Sequence, residues 1–177
     1  NQIITKNSVE FLQTLAKYHF EHSAINSIGI TGSNGKTILK EWLYQCLSNE
    51  FVTVKSPKSF NSQIGLPLSL FQIEKKHDLG IFEVGISKPD EMDNQENIFH
   101  PKIGLLTHIG SAHSANFSSE EELINEKLKL FKNSEIIFYN ADNLLTDKII
   151  NELYSSKKLI SCGLEINNDI HIISNVN

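Results

Sequence analysis

Several things are scarce in this 177-residue chain. There are two cysteines, Cys46 and Cys162, and no CxxC pair. That excludes a disulfide framework and a cysteine-built zinc site, and both residues read as buried thiols of a reducing compartment. The longest apolar runs are short, Ile103 to Leu106 among them, so no stretch is suited to cross a membrane. Positive charge is in deficit. Sixteen Lys plus Arg stand against 21 Asp plus Glu, for a formal net charge of −5, which argues against a general nucleic-acid binder. Internal repeats, low-complexity tracts and linkers are absent. The chain opens on Asn1 with neither Met nor a signal-like segment, which reads as a piece excised from a longer protein.

What is present is a globular composition. Hydrophobic residues make up 40% and charged residues 21%, which excludes a disordered chain. One domain of this length buries about 70% of its unfolded surface and needs no staple. Short apolar runs alternate with helical periodicity. The pattern predicts helices over Ser8–Phe20, Lys36–Leu47, Gly65–Phe71, Glu120–Phe131 and Asn143–Tyr154. It predicts strands over Ser27–Thr31, Phe51–Lys55, Leu79–Ile86, Ile103–Ile109, Glu135–Tyr139, Leu159–Cys162 and Ile170–Ile173. Alternation of this kind defines an α/β fold, a mostly parallel sheet with helices on both faces.

The most informative stretch is Thr31-Gly32-Ser33-Asn34-Gly35-Lys36-Thr37, between a predicted strand and a predicted helix. Glycines let the backbone curl so that its N–H groups converge on one anion, and the next helix adds its positive end. Lys36 can reach outer phosphates and the Thr37 hydroxyl can bind Mg²⁺. This is P-loop chemistry in a short form. The longer GxxxxGK[ST] pattern needs Gly at position 30, where this chain has Ile.

Further stretches resemble the Mur ligase family, in the family's order. They are Ser56-Pro57-Lys58-Ser59-Phe60-Asn61, leading into Ile64-Gly65-Leu66-Pro67, then Phe82-Glu83-Val84-Gly85, then His108-Ile109-Gly110-Ser111-Ala112-His113, and Tyr139-Asn140-Ala141-Asp142. Lys127 follows His113 by 14 residues, with Phe131 four further on, a spacing similar to that of the helix carrying the family's carbamylated lysine. The resemblance implies a central ATP-binding domain spanning residues 1–177. A nucleotide-sugar-binding domain would precede it and a Rossmann-like domain would follow. It also implies ATP-dependent amide-bond formation in the cytoplasm, on cell-wall precursors, through an acyl phosphate. Within the family the details look most like the member that joins D-Ala-D-Ala to UDP-MurNAc-tripeptide, and the loop at Ser56 and the helix at Lys127 resemble the form fused to alanine racemase.

The resemblance also distributes roles. Thr31, Gly32, Ser33, Asn34, Gly35, Lys36 and Thr37 would hold the nucleotide. Thr37, Glu83 and Ser56 would hold one Mg²⁺, and His113 with carbamylated Lys127 a second. Lys36, His113 and Lys127 would be the catalytic group. Glu83 has a reading of its own, since a carboxylate at a strand's C-terminal end lies where open α/β sheets bind ligands. Ser56 reads equally well as a capping serine before Pro57. Without the resemblance Lys127 reads as one more lysine on an exposed helix face, beside Lys129 and Lys132; the resemblance favours the carbamate, and Leu123, Ile124, Leu128 and Phe131 at helical phase would partly bury it. His108 stands where the family has Asn, and reads as a plain strand-end histidine. His19, His22, His77, His100 and His171 lack any such context, and Cys46 reads as core beside Leu43 and Leu47. Other readings stay open: a sibling ligase, including folylpolyglutamate synthase; a P-loop kinase or GTPase, although no Asn-Lys-x-Asp motif is present; and a non-catalytic nucleotide-binding module.

Overall fold

The computed structural model describes residues 4–110 and 116–171. The elements run α1 (Ser8–Glu21), β1 (Asn26–Thr31), α2 (Lys36–Leu47), β2 (Thr53–Lys55), α3 (Gly65–Leu70), β3 (Leu79–Glu83), α4 (Glu91–Ile98), β4 (Ile103–Leu106), α5 (Glu120–Leu128), β5 (Ile136–Asn140), α6 (Leu144–Tyr154), β6 (Lys158–Gly163) and β7 (Ile170–His171). A 3₁₀ turn, Lys129–Phe131, ends α5.

The seven strands form one sheet in the order β2-β3-β1-β4-β5-β6-β7, and every pairing is parallel. Crossovers between parallel strands are right-handed, so the direction of travel across the sheet fixes the face on which a helix lands. Among the described residues only the β1-to-β2 connection travels one way, and its helix, α2, lies alone on its face. It packs Leu39, Leu43, Tyr44 and Leu47 against Ile28, Ile30, Leu79 and Ile81. The opposite face carries α1, α3, α4, α5 and α6 over the larger core, which includes Ala16, Leu70, Phe82, Met92, Phe131 and Ile150. Both faces therefore carry helices, as the sequence pattern implies, but unevenly.

One consequence is an apolar slot of about 470 Å³ beside α2, floored by Ile103, Leu105 and Phe138 and walled by Leu39 and Leu43. Cys46 sits at the edge of the α2 stripe that borders this open side. It is exposed, and Cys162 is only half-buried, so neither is the core thiol that the sequence suggests. Among the described residues no helix is long and apolar enough to cross a membrane.

Helix starts follow from side chains that accept the free N–H groups of a first turn. Asn7 caps α1 through Val9 N (3.0 Å), Ser119 caps α5 through Glu122 N (3.1 Å), and Asn143 caps α6 through Thr146 N (2.9 Å). The start of α2 differs: its cap is Gly35 in the left-handed conformation (φ 85°), and no side chain bonds the first turn.

Candidate nucleotide and metal site

β1 lies between β3 and β4, where the sheet's connections reverse direction, and a crevice opens at such a point. Residues 32–35 leave β1 there. Gly32 has φ 141°, and a Cβ on it would stand 2.0 Å from Thr107 Oγ1, so no other residue fits without moving β4's end. Ser33 N (2.9 Å) and Asn34 N (3.4 Å) both donate to the carbonyl of His108, and Ser33 Oγ donates to Gly110 O (3.2 Å). The loop is thus fastened to the stretch after β4. The first-turn N–H groups of α2, which no side chain caps, remain as donors for an anion.

The main chain of His108 explains its place in the motif better than its ring does. The ring is exposed, while the carbonyl anchors the phosphate loop.

Across the crevice, Glu83 ends β3 with no solvent exposure, beside Ile30 in the register of β1. Its Oε1 accepts from Thr37 Oγ1 (3.1 Å) and from Asn61 Nδ2 (3.3 Å). Its backbone N–H donates to Ser56 Oγ (3.1 Å), and Ser56 is itself fully buried. Thr37, Ser56 and Glu83 therefore converge as the sequence reading requires, and Ser56 is not a capping serine turned to water. Asn61 lies in the loop that begins at Ser56, and the fold, not the motif, brings it to Glu83. Nothing in the glycine-loop motif marks Lys40. Its ammonium is wholly buried, 3.2 Å from Glu83 Oε2. Its spacing of four from Lys36 was the available signal, because it puts both lysines on one helix face.

Two lysines meet at the loop from opposite sides. Lys36 Nζ donates to the carbonyls of Gly32 (2.8 Å) and Ser33 (3.2 Å). Lys127 Nζ, buried at 1% exposure, donates to the same Gly32 carbonyl (3.1 Å). Burial chiefly, and the neighbouring Lys36 ammonium next, push the Lys127 amine down to about 7. Burial also lowers Lys36, against the pull of Glu83. The reading of Lys127 as a solvated lysine fails: α5 turns it into the crevice. Glu126, next to it, instead accepts from Met92 N (2.9 Å) and pairs with Lys129 (2.7 Å). Lys129 is held above its ordinary value by Asp93 and Glu126. His113 lies outside the described residues.

The donor set is chemically suited to a magnesium nucleotide. Around the loop, among the described residues, Thr31 Oγ1 and Glu83 Oε2 are buried oxygens without a hydrogen-bond partner, the Lys40 ion pair lying off the hydrogen-bonding direction. Hydroxyl and carboxylate oxygens are what a hard cation takes. A cavity of about 410 Å³ opens beside Lys36, lined by Asn61, Gln63, Ser87 and Glu91 among others.

The chain as a whole is similar to known proteins. Residues 30–177 match the Mur ligase middle domain. The chain belongs to the Mur ligase family. Among curated relatives it is 41% identical, over 142 residues, to the UDP-N-acetylmuramoyl-tripeptide–D-alanyl-D-alanine ligase of Borreliella burgdorferi, covering 80% of this chain and 31% of the relative. Among solved structures it resembles MurF from Acinetobacter baumannii, with a TM-score of 0.85 and 26% identity over 92% of this chain and 36% of that one. It also resembles MurF from Thermotoga maritima in complex with ADP, with a TM-score of 0.82 and 28% identity over 92% and 38%. The chain spans about a third of the length of these relatives.

Proposed function

We propose that residues 1–177 are the central ATP-binding domain of a cytoplasmic ligase that joins D-Ala-D-Ala to UDP-MurNAc-tripeptide, with substrate-binding and C-terminal domains on the flanking parts of the chain. The observation that carries the reading is the meeting of Lys36, Thr37, Glu83 and Lys127 around one glycine loop. The names of the relatives supply the choice of substrate.

In this reading the γ-phosphoryl group of ATP passes to the peptide carboxylate, and the amine of D-Ala-D-Ala displaces phosphate from the resulting acyl phosphate. Phosphoryl transfer is mostly positioning and charge neutralisation. The first-turn N–H groups of α2 bind phosphate oxygens. Lys36 leaves the Gly32 and Ser33 carbonyls to neutralise the outer phosphates. Thr37, Glu83 and Ser56 would hold one Mg²⁺, and Lys127 as a carbamate, together with His113, would hold a second. Mg²⁺ supplies charge neutralisation at the phosphates. Lys127 has the property that carbamate formation demands, an amine that is neutral near physiological pH. The lone pair of the neutral amine bonds to CO₂ and one N–H proton leaves to solvent, which turns a neutral nitrogen into an anionic oxygen donor.

The test is phosphate release by the full-length protein with ATP, Mg²⁺ and UDP-MurNAc-tripeptide. Release should require D-Ala-D-Ala, and Lys36→Ala should slow it by about a hundredfold or more in a folded protein. Equal release with a folate and glutamate would move the reading to the folate-side sibling. Wild-type turnover by Lys36→Ala would refute the role of the loop.

A further inference from the structure

Lys40 is a lysine with no exposed surface, one helical turn after Lys36. An ammonium is left in such a place only when acceptors surround it. Its Nζ donates to the carbonyl of Ser56 (2.9 Å) and to that of Lys58, and lies 3.2 Å from Glu83 Oε2 and 3.3 Å from Glu41 Oε1. Lys58 is a non-glycine residue in the left-handed region, at φ 47°, with its carbonyl turned onto Lys40. Such a conformation persists where its surroundings hold it. The segment so held runs from β2 to α3, and it delivers Ser56 Oγ to the backbone of Glu83 and Asn61 Nδ2 to its carboxylate. One buried charge thereby fastens the acid and the loop wrapped around it.

We propose that Lys40 is a positioning residue for metal-assisted nucleotide binding. Its ammonium fixes the Glu83 carboxylate and the Ser56–Lys58 backbone in register with Thr37, without itself reaching the nucleotide. The proposal rests on the magnesium-nucleotide reading of the site. It separates Lys40 from the lysine of the loop: Lys36 answers to phosphate, Lys40 to the oxygen donors around the cation.

The experiment compares ADP binding by calorimetry with Mg²⁺ and with EDTA, for the wild type and for Lys40→Met. The wild type should bind ADP more tightly with Mg²⁺. Lys40→Met should bind ADP in EDTA as the wild type does, and should lose about tenfold or more of the Mg²⁺ gain, the usual cost of removing the group that orients a metal ligand. A lysine with only a structural role would lower the melting temperature and leave the gain intact, and that result overturns the proposal. If Lys40→Met does not fold, the wild type still decides. The ¹⁵N-lysine ammonium signal of Lys40, recognised by its persistence in both Lys36→Met and Lys127→Met, should shift on adding MgADP and not on adding ADP in EDTA. Identical spectra overturn the proposal. A wild type with no Mg²⁺ gain at all overturns the magnesium-nucleotide reading first, and this inference with it.

Discussion

Replacing Lys127 by methionine should stabilise the protein at neutral pH and cease to do so in alkali. The folded-state amine titrates at about 7, against an ordinary value of 10.5. Between those two values the unfolded chain binds a proton that the folded chain does not. Stability therefore rises with pH across the window, and below pH 7 the penalty is constant because both states are protonated. Lowering the amine from 10.5 to about 7 corresponds to about 5 kcal/mol in total, spread evenly over the window. Lys127→Met removes the titration and keeps the length of the side chain. The assay is urea unfolding of both proteins in CO₂-free buffer at pH 6, 7.5 and 9.5. The stability advantage of the variant should shrink by about 2–3 kcal/mol between the last two points. Titrating groups remote from Lys127 cancel in the difference, and Lys36, its charged neighbour, contributes through the same coupling. A difference that is independent of pH would show that the buried amine keeps its ordinary affinity for protons, and the route to a carbamate would go with it. With ¹³C-bicarbonate at pH 8 the wild type should show a carbamate carbon signal that Lys127→Met lacks.

Two further outcomes follow from packing and capping. A Cβ on Gly104 would stand 2.4 Å from the ring of Phe131, which has no exposed surface, so Gly104→Ala should cost about 1–3 kcal/mol in urea unfolding. Phe131→Ala should cost about 3–5 kcal/mol, and the double variant should cost less than the sum, because the second change removes what the first strikes; strict additivity would refute the contact. Asn143→Ala should lower stability by about 1 kcal/mol through the lost bond to Thr146 N, with no change in nucleotide affinity; an unchanged urea midpoint would show that the cap contributes nothing.

The helix Lys36–Leu47 and the alternation of strands with helices were legible because a glycine loop between an apolar run and a 3.6-residue period admits few other folds. The strand ends were not legible. Val84, Ile86 and Ile109 continue apolar runs past Glu83 and Leu106, since the connections there are themselves buried in the core and carry the same composition. α4 is not legible in the sequence because Glu91–Ile98 is largely polar, with Met92, Gln95 and Ile98 as its buried contacts, too few to register as a period. In the site, the residues whose chemistry sits on the backbone path were legible: Gly32, Lys36, Thr37, Glu83. Lys40 and Asn61 were not, because their importance comes from what a distant loop folds onto them, and a lysine in a helix ordinarily means a wet face.

The parallel sheet has a use for engineering. Thr31 and Glu83 end their strands and Ser56 directly follows one, at a single edge of the sheet. The turns that enter the strands lie at the other edge, some 15–20 Å away for strands of this length. Ser48–Glu50 and Lys75–Lys76 are exposed there. A fluorophore, an affinity tag or a new pair of chain ends placed in those turns would report on or tether the protein from its far side, leaving the chemistry of the crevice alone.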